Sequence, residues 1–241
     1  MKKLKFIIPI CILAVVLFVP SIFQKDTTLY TIIKKGATDA MQVKAMSTNT
    51  NDGIPTIVID AGHGGYDTGS ISYDGIFEKD INLQVALKTG AILEEQGFHV
   101  IYTRTSDEVS WSNDNKEDLQ ARVNIGEDSN ADYFISIHTN ASDYDDGAYG
   151  FETFLNYENA NIEQMAENIE KNFTSLNFSM DRGLKSTQDS SLYVIDKNSV
   201  PAMLIELGFI TDSDDASYMT SESGQNNLAQ SIASGIIDTL S

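Results

Sequence analysis

The sequence predicts an α/β protein: a single three-layer domain with a mostly parallel β-sheet and helices on both faces, preceded by an N-terminal membrane anchor. Short runs of β-branched and apolar residues alternate along the chain with segments whose apolar residues recur at helical spacing. Such alternation is typical of parallel sheets, because each crossover helix packs on one face of the sheet. A lysine-flanked apolar stretch at the N-terminus precedes these elements and indicates the anchor.

The predicted elements follow one another from residue 55 to the C-terminus. The first helical segment ends at Gly97, a residue type that favours the left-handed backbone found just after helices. Two later segments carry unbroken apolar stripes that begin at Ile162 and Leu228. The predicted strands comprise residues 56–60, 98–104, 132–138, 151–155, 191–195 and 202–206. The predicted helices comprise residues 80–96, 117–129, 162–176 and 228–240.

Residues 1–24 are predicted to form an uncleaved signal anchor. Lys2, Lys3 and Lys5 precede an uncharged, mostly apolar stretch over residues 6–23, and this arrangement is typical of export signals. The stretch has about the minimum length that spans a bilayer. Because no Ala-x-Ala cleavage site follows within reach of signal peptidase, we favour an anchor with its lysines inside over a cleaved signal peptide.

The rest of the chain divides into a flexible linker over residues 25–54, which is polar, and a folded domain over residues 55–241. The net charge is −19, which excludes nucleic-acid binding by counterion release. The one cysteine, Cys11, lies in the N-terminal apolar stretch. Intrachain disulfides and thiolate metal sites are therefore excluded.

Two of the three histidines, His63 and His138, lie where predicted strands end. Neutral imidazole is a common zinc ligand, and ligands bind beyond the carboxyl ends of strands in α/β sheets. A catalytic zinc takes three protein ligands and leaves a fourth position for water. The predicted ligands are His63, Glu78 and His138, with Zn²⁺ as the cofactor.

Glu206, at the end of another apolar strand, is the candidate general base. Zinc lowers the pKa of its bound water from about 15.7 toward about 7, and hydrolysis then needs a group that accepts a proton and returns it. Partial burial should raise the pKa of Glu206 toward neutrality, which suits this exchange. Asp60 is expected either to accept a hydrogen bond from an imidazole or to cap the loop that follows it.

These residues lie in motifs that resemble the amidase_3 family of zinc-dependent N-acetylmuramoyl-L-alanine amidases. The resemblance runs from about residue 56 to the end of the chain in the family's order. Small departures, such as Ala61 in place of proline and Thr139 in place of alanine, remove no candidate ligand. The matching segments are residues 58–65, 78–83, 102–104, 131–140, 182–184, 201–206 and 208–209, together with Leu119 and Arg122.

The resemblance implies a six-stranded sheet, one zinc held by the residues that match the ligands above, and Glu206 as the catalytic glutamate. It implies that residues 55–241 are a catalytic domain that cleaves peptidoglycan between the lactyl group of N-acetylmuramic acid and the L-alanine of the stem peptide. Asn140 and Arg182 are expected to bind substrate. For Arg182, gripping a stem-peptide carboxylate and anchoring the adjacent loop remain equal alternatives.

Three other functions stay open at the level of sequence. The first is a zinc peptidase that cuts within the stem peptide. The second is an amidase that is inactive until a partner protein binds, because no wall-binding module accompanies the domain. The third is a wall-binding protein without activity, which the presence of all four site residues disfavours. Each of them places the domain outside the cytoplasm, at the cell wall, either membrane-anchored or secreted.

Overall fold

The computed structural model describes residues 52–142, 147–155, 160–188 and 191–241. The predicted anchor and nearly all of the predicted linker lie outside these residues. Within them, no helix has the length and apolar character needed to cross a bilayer.

Six strands and six helices make up the described chain. The strands are β1 (Thr56–Ala61), β2 (His99–Tyr102), β3 (Tyr133–Asn140), β4 (Phe151–Leu155), β5 (Asp181–Ser186) and β6 (Ala202–Phe209). The helices are α1 (Glu78–Glu95), α2 (Asn115–Asp128), α3 (Ala160–Leu176), α4 (Tyr193–Asp196), α5 (Ser213–Thr220) and α6 (Glu222–Leu240).

The six strands form one sheet in the order β2-β1-β3-β6-β4-β5. All neighbouring pairs are parallel except β4 and β6, which run antiparallel. The prediction of a six-stranded, mostly parallel sheet is confirmed.

The core lies on both faces of the sheet, because successive side chains of a strand point to opposite sides. In β1, Ile57 and Ile59 pack in the larger cluster with apolar residues of α1, α3 and α6. Val58, between them, packs in a smaller cluster with Val194 of α4 and, at its edge, Leu119 of α2. Helices therefore cover both faces, as predicted.

The prediction of a strand over residues 191–195 is wrong. Val194 and Ile195 belong to the short helix α4 and are buried there, while Asp196 accepts hydrogen bonds from Ser191 and from the backbone N–H of Leu192. The strand that the prediction lacks is β5. Its residues are exposed or half-buried and show no apolar alternation. Helix α5, also absent from the prediction, begins where the Asp212 carboxylate accepts two backbone N–H groups.

Register brings three side chains into one row across the sheet. His138 of β3 lies beside Glu206 of β6, and Glu206 lies beside Glu152 of β4. Partners in register point to the same face, so adjacent strands about 4.8 Å apart hold these three groups next to one another.

Candidate metal and catalytic site

The loop after β1 places His63 against His138. The backbone of His63 is left-handed, with φ 61°, and the two imidazole rings meet edge to face with centroids 4.8 Å apart. Gly62 makes this approach possible, since a Cβ there would lie 2.2 Å from His138 Nε2. Only a residue without a side chain fits between the loop and the ring.

Two buried arginines hold the backbone of this loop. Arg104 donates to the carbonyls of Ala61 (3.0 Å) and Gly62 (3.0 Å). Arg122 donates to the carbonyls of Ala61 (2.8 Å) and His63 (2.7 Å). Three consecutive carbonyls are thus fixed by guanidinium groups, which keeps the imidazole of His63 in place.

Asp67 orients the ring of His63, because its Oδ2 lies 2.7 Å from His63 Nδ1. That contact leaves Nε2 of His63 to face Glu78, as expected for a metal-binding histidine whose other nitrogen is held by a carboxylate. Orienting an imidazole is one of the two alternatives for Asp60, and the contacts of Asp60 do not support it. Asp60 is fully buried and accepts hydrogen bonds from Arg122 (2.8 Å) and Ser136 (2.6 Å), and from Thr103.

Glu78, the first residue of α1, lies between the two imidazoles. Its Oε1 is 3.1 Å from His63 Nε2 and 3.1 Å from His138 Nδ1. Its Oε2 accepts the backbone N–H of Ser70 at 2.9 Å. Burial would raise the pKa of Glu78, but the hydrogen bonds from His138 and His63 outweigh it and hold that pKa far below its usual range.

The three predicted ligands fit a zinc ion. One donor atom from each of His63, Glu78 and His138 lies within 4.8 Å of the others. Zinc bonds of about 2.0–2.1 Å in a tetrahedral site put donors about 3.3 Å apart, close to the two 3.1 Å separations. Burial lowers the pKa of His63, but Glu78 and Asp67 together raise it to about 9.

Glu206 faces this donor set from the next strand. Its Oε2 is buried and makes no hydrogen bond within the described residues. Burial raises the pKa of Glu206 to about 8, and the negative charges of Glu78 and Glu152 act in the same direction. A carboxylate with a free oxygen and a pKa near neutrality can accept and return a proton.

The two residues expected to bind substrate converge on Glu152. Asn140 Nδ2 donates to Glu152 Oε1 at 2.7 Å, and Arg182 Nε donates to Oε2 at 3.0 Å. Arg182 Nη1 also donates to the carbonyl of Tyr149 at 3.3 Å, so it anchors the neighbouring loop. Whether either residue contacts substrate stays a prediction.

Sequence reasoning missed Asp67, Glu152 and Asn82, whose Nδ2 lies 3.3 Å from Glu78 Oε1. For Glu152 a signal existed: it is the one charged residue in the apolar strand β4. Asp67 follows His63 by four residues in a glycine-rich loop, but spacing alone does not show that the loop folds back on the imidazole.

Residues 57–238 match the family model Amidase_3, described as N-acetylmuramoyl-L-alanine amidase. The uncharacterised protein YqiI of Bacillus subtilis is 39% identical over 183 residues, which cover 75% of this chain and 82% of YqiI. The N-acetylmuramoyl-L-alanine amidase LytC of Bacillus subtilis is 34% identical over 217 residues, which cover 89% of this chain but only 41% of LytC.

Among solved structures, the CwlD amidase of Clostridioides difficile, determined in complex with the GerS lipoprotein, is similar in fold. It superimposes with a TM-score of 0.70 at 32% identity, over 77% of this chain and 98% of the CwlD chain.

Proposed function

This chain belongs to the Amidase_3 family of N-acetylmuramoyl-L-alanine amidases, and from that premise we propose how its site hydrolyses peptidoglycan. The enzyme is a peptidoglycan hydrolase that cleaves the amide bond between N-acetylmuramic acid and L-alanine. In our proposal His63, Glu78 and His138 hold a zinc ion and Glu206 exchanges protons. The observation that carries this proposal is the convergence of two imidazoles and one carboxylate, next to Glu206, which pairs in register with His138 and has one oxygen without a hydrogen bond within the described residues.

A bound zinc ion would supply Lewis acidity toward the scissile carbonyl and would acidify water at neutral pH. Glu206 accepts the proton of the attacking water through its free oxygen and then returns it to the nitrogen of L-alanine. Asp67 holds His63 in the tautomer that presents Nε2 to the site. Arg104 and Arg122 keep the loop of His63 from moving during this exchange.

The test is the analysis of products from purified peptidoglycan by mass spectrometry, with zinc and with a chelator. We expect zinc-dependent release of peptides that begin at L-alanine, and Glu206→Gln should keep zinc but lose turnover. Glu170→Gln is the matched control, because Glu170 is a buried glutamate whose pKa is likewise raised to about 8 but which takes no part in the site. Products cut within the stem peptide would instead identify a zinc peptidase.

A requirement for an activator protein is a second proposal, supported by the GerS complex of the similar CwlD chain. Purified enzyme that binds zinc but releases no product would favour it. Full activity of the enzyme alone would rule it out.

Action on peptidoglycan places the enzyme outside the cytoplasm. We propose that residues 1–24 anchor it in the membrane and that residues 25–54 link the anchor to the catalytic domain. The support is the lysine-flanked apolar stretch of the sequence.

A further inference from the structure

We propose that Arg182 and Lys185 form an anion subsite for a carboxylate of the stem peptide, and that Glu152 is the residue that positions Arg182 for this contact. This inference rests on the proposed function, because it concerns how the same substrate is held. It adds a preference for stem peptides whose carboxylates are free over those in which they are amidated.

The subsite consists of two cations in front of one buried carboxylate. Glu152 Oε2 lies 3.0 Å from Arg182 Nε and 4.0 Å from Lys185 Nζ. The side chain of Glu152 is 7% exposed, whereas those of Arg182 and Lys185 are 30% and 39% exposed. One negative charge is thus buried behind two positive charges that reach solvent, and the cluster faces solvent as a net cation.

Neighbouring groups fix the guanidinium of Arg182 in place, but it still has a nitrogen that can donate hydrogen bonds to a ligand. It lies over the ring of Phe209, with 5.0 Å between the guanidinium carbon and the ring centroid. Its Nε donates to Glu152 and its Nη1 to Tyr149, while Nη2 makes no hydrogen bond in the described part of the chain. The other two arginines, Arg104 and Arg122, are buried and donate to the protein itself.

The distance from the reacting bond suits a peptide carboxylate. Glu152 lies next to Glu206 across the sheet, about one strand spacing, or about 4.8 Å, away. An extended peptide advances about 3.3–3.6 Å per residue. L-Alanine spans the first of these steps, so a carboxylate on the next residue lies about 7 Å from the cleaved bond, within reach of a guanidinium bound to Glu152.

The charge of the whole protein makes local cations necessary for such a substrate. With a net charge of −19, the protein repels anionic peptides at long range. A carboxylate can bind only where cations outweigh neighbouring acids, and charge-assisted hydrogen bonds from a preoriented guanidinium supply that attraction. Asn140, which donates to the other oxygen of Glu152, keeps the carboxylate from rotating away from Arg182.

The experiment compares two muropeptides that differ only in whether the stem carboxylates are free or amidated. Binding is measured by calorimetry on the full-length, zinc-loaded chain in a Glu206→Gln background, so that no substrate is consumed. We expect about tenfold tighter binding of the free form, and loss of that preference in Arg182→Gln and in Glu152→Gln. Arg182→Lys should restore part of it, and Lys197→Gln, which removes an exposed charge elsewhere, should leave it intact.

Equal binding of the two muropeptides, or a preference that survives Arg182→Gln, would overturn the subsite. Because Arg182 is partly exposed, its variants keep the test decisive even if Glu152→Gln does not fold. Turnover of the same muropeptides by the wild-type chain tests the proposed function separately. A chain that binds the free form tightly but cleaves neither muropeptide would keep the subsite and refute the hydrolysis.

Discussion

Replacing Gly62 with alanine should displace the proposed metal ligand His138 without unfolding the protein. The added Cβ would lie 2.2 Å from Nε2, 2.3 Å from Cε1 and 2.6 Å from Cδ2 of His138, whereas unbonded heavy atoms rest at about 3.5–4.0 Å. The ring or the loop must therefore move by about 1 Å. Arg104 and Arg122 hold the loop through its carbonyls, so the ring of His138 should move.

A shift of about 1 Å is far larger than the roughly 0.2 Å that zinc–ligand distances tolerate. We expect Gly62→Ala to weaken zinc binding by about 100-fold, the upper end of the range for variants in which a ligand loses its support. A competition titration against a chromogenic chelator measures the affinity, and circular dichroism checks the fold.

Gly126→Ala is the matched control. Gly126 lies in α2, and a Cβ there would meet its nearest neighbour, Phe134, at 3.2 Å, a contact that a small adjustment relieves. This variant should bind zinc as the wild type does. Wild-type affinity in Gly62→Ala would refute the reasoning, because His138 could then not be both packed against Gly62 and bound to the metal.

Three further predictions concern titratable groups. Asp67→Ala should weaken zinc binding about 10- to 100-fold, because the ring of His63 would no longer be held in place. The same chelator titration measures this change. Unchanged zinc affinity would mean that Asp67 does not orient His63. The pKa of His63 is raised to about 9 without metal, so below that pH zinc must displace a proton from this imidazole. The affinity of the protein for zinc should therefore rise about tenfold per pH unit from pH 7 to about 9. A zinc affinity that does not change with pH would contradict this. Burial raises the pKa of Glu170 to about 8 from 4.5. As pH rises between these values, Glu170 loses its proton in the unfolded chain but keeps it in the folded one, so the stability of the fold decreases. Glu170→Gln should then be more stable than wild type at pH 9 by roughly 2–5 kcal/mol but not at pH 4, as urea unfolding at both pH values would test.

Most of the sheet could be predicted because its central strands are buried on both faces. Strands β1, β3 and β6 consist largely of fully buried residues, and such strands appear in a sequence as continuous apolar runs. The edge strand β5 carries no such run, since one side of it meets water. The sequence predicts a strand at the apolar residues of α4, because a four-residue helix is too short to show a period of 3.6.

The candidate ligands could be proposed from sequence because histidines are scarce in this chain and strand ends are identifiable. The residues that orient them could not, since their roles depend on contacts between distant segments. Asp60 and Asp67 lie three and four residues from His63 in sequence, yet β1 directs Asp60 toward Arg122 and the loop returns Asp67 to the imidazole. Glu152 gains its place only through the antiparallel register of β4 with β6.

The position of β5 at the edge of the sheet also bears on solubility and on protein engineering. Because β5 pairs with β4 alone, its outer backbone groups offer a template for a strand of another molecule. Charged side chains and a glycine with φ 76° along β5 oppose such pairing. Arg182 and Lys185 therefore protect the edge as well as facing the site. An engineer who replaces both with apolar residues to broaden specificity should expect a protein that aggregates on storage, even when its fold and its proposed zinc site are intact.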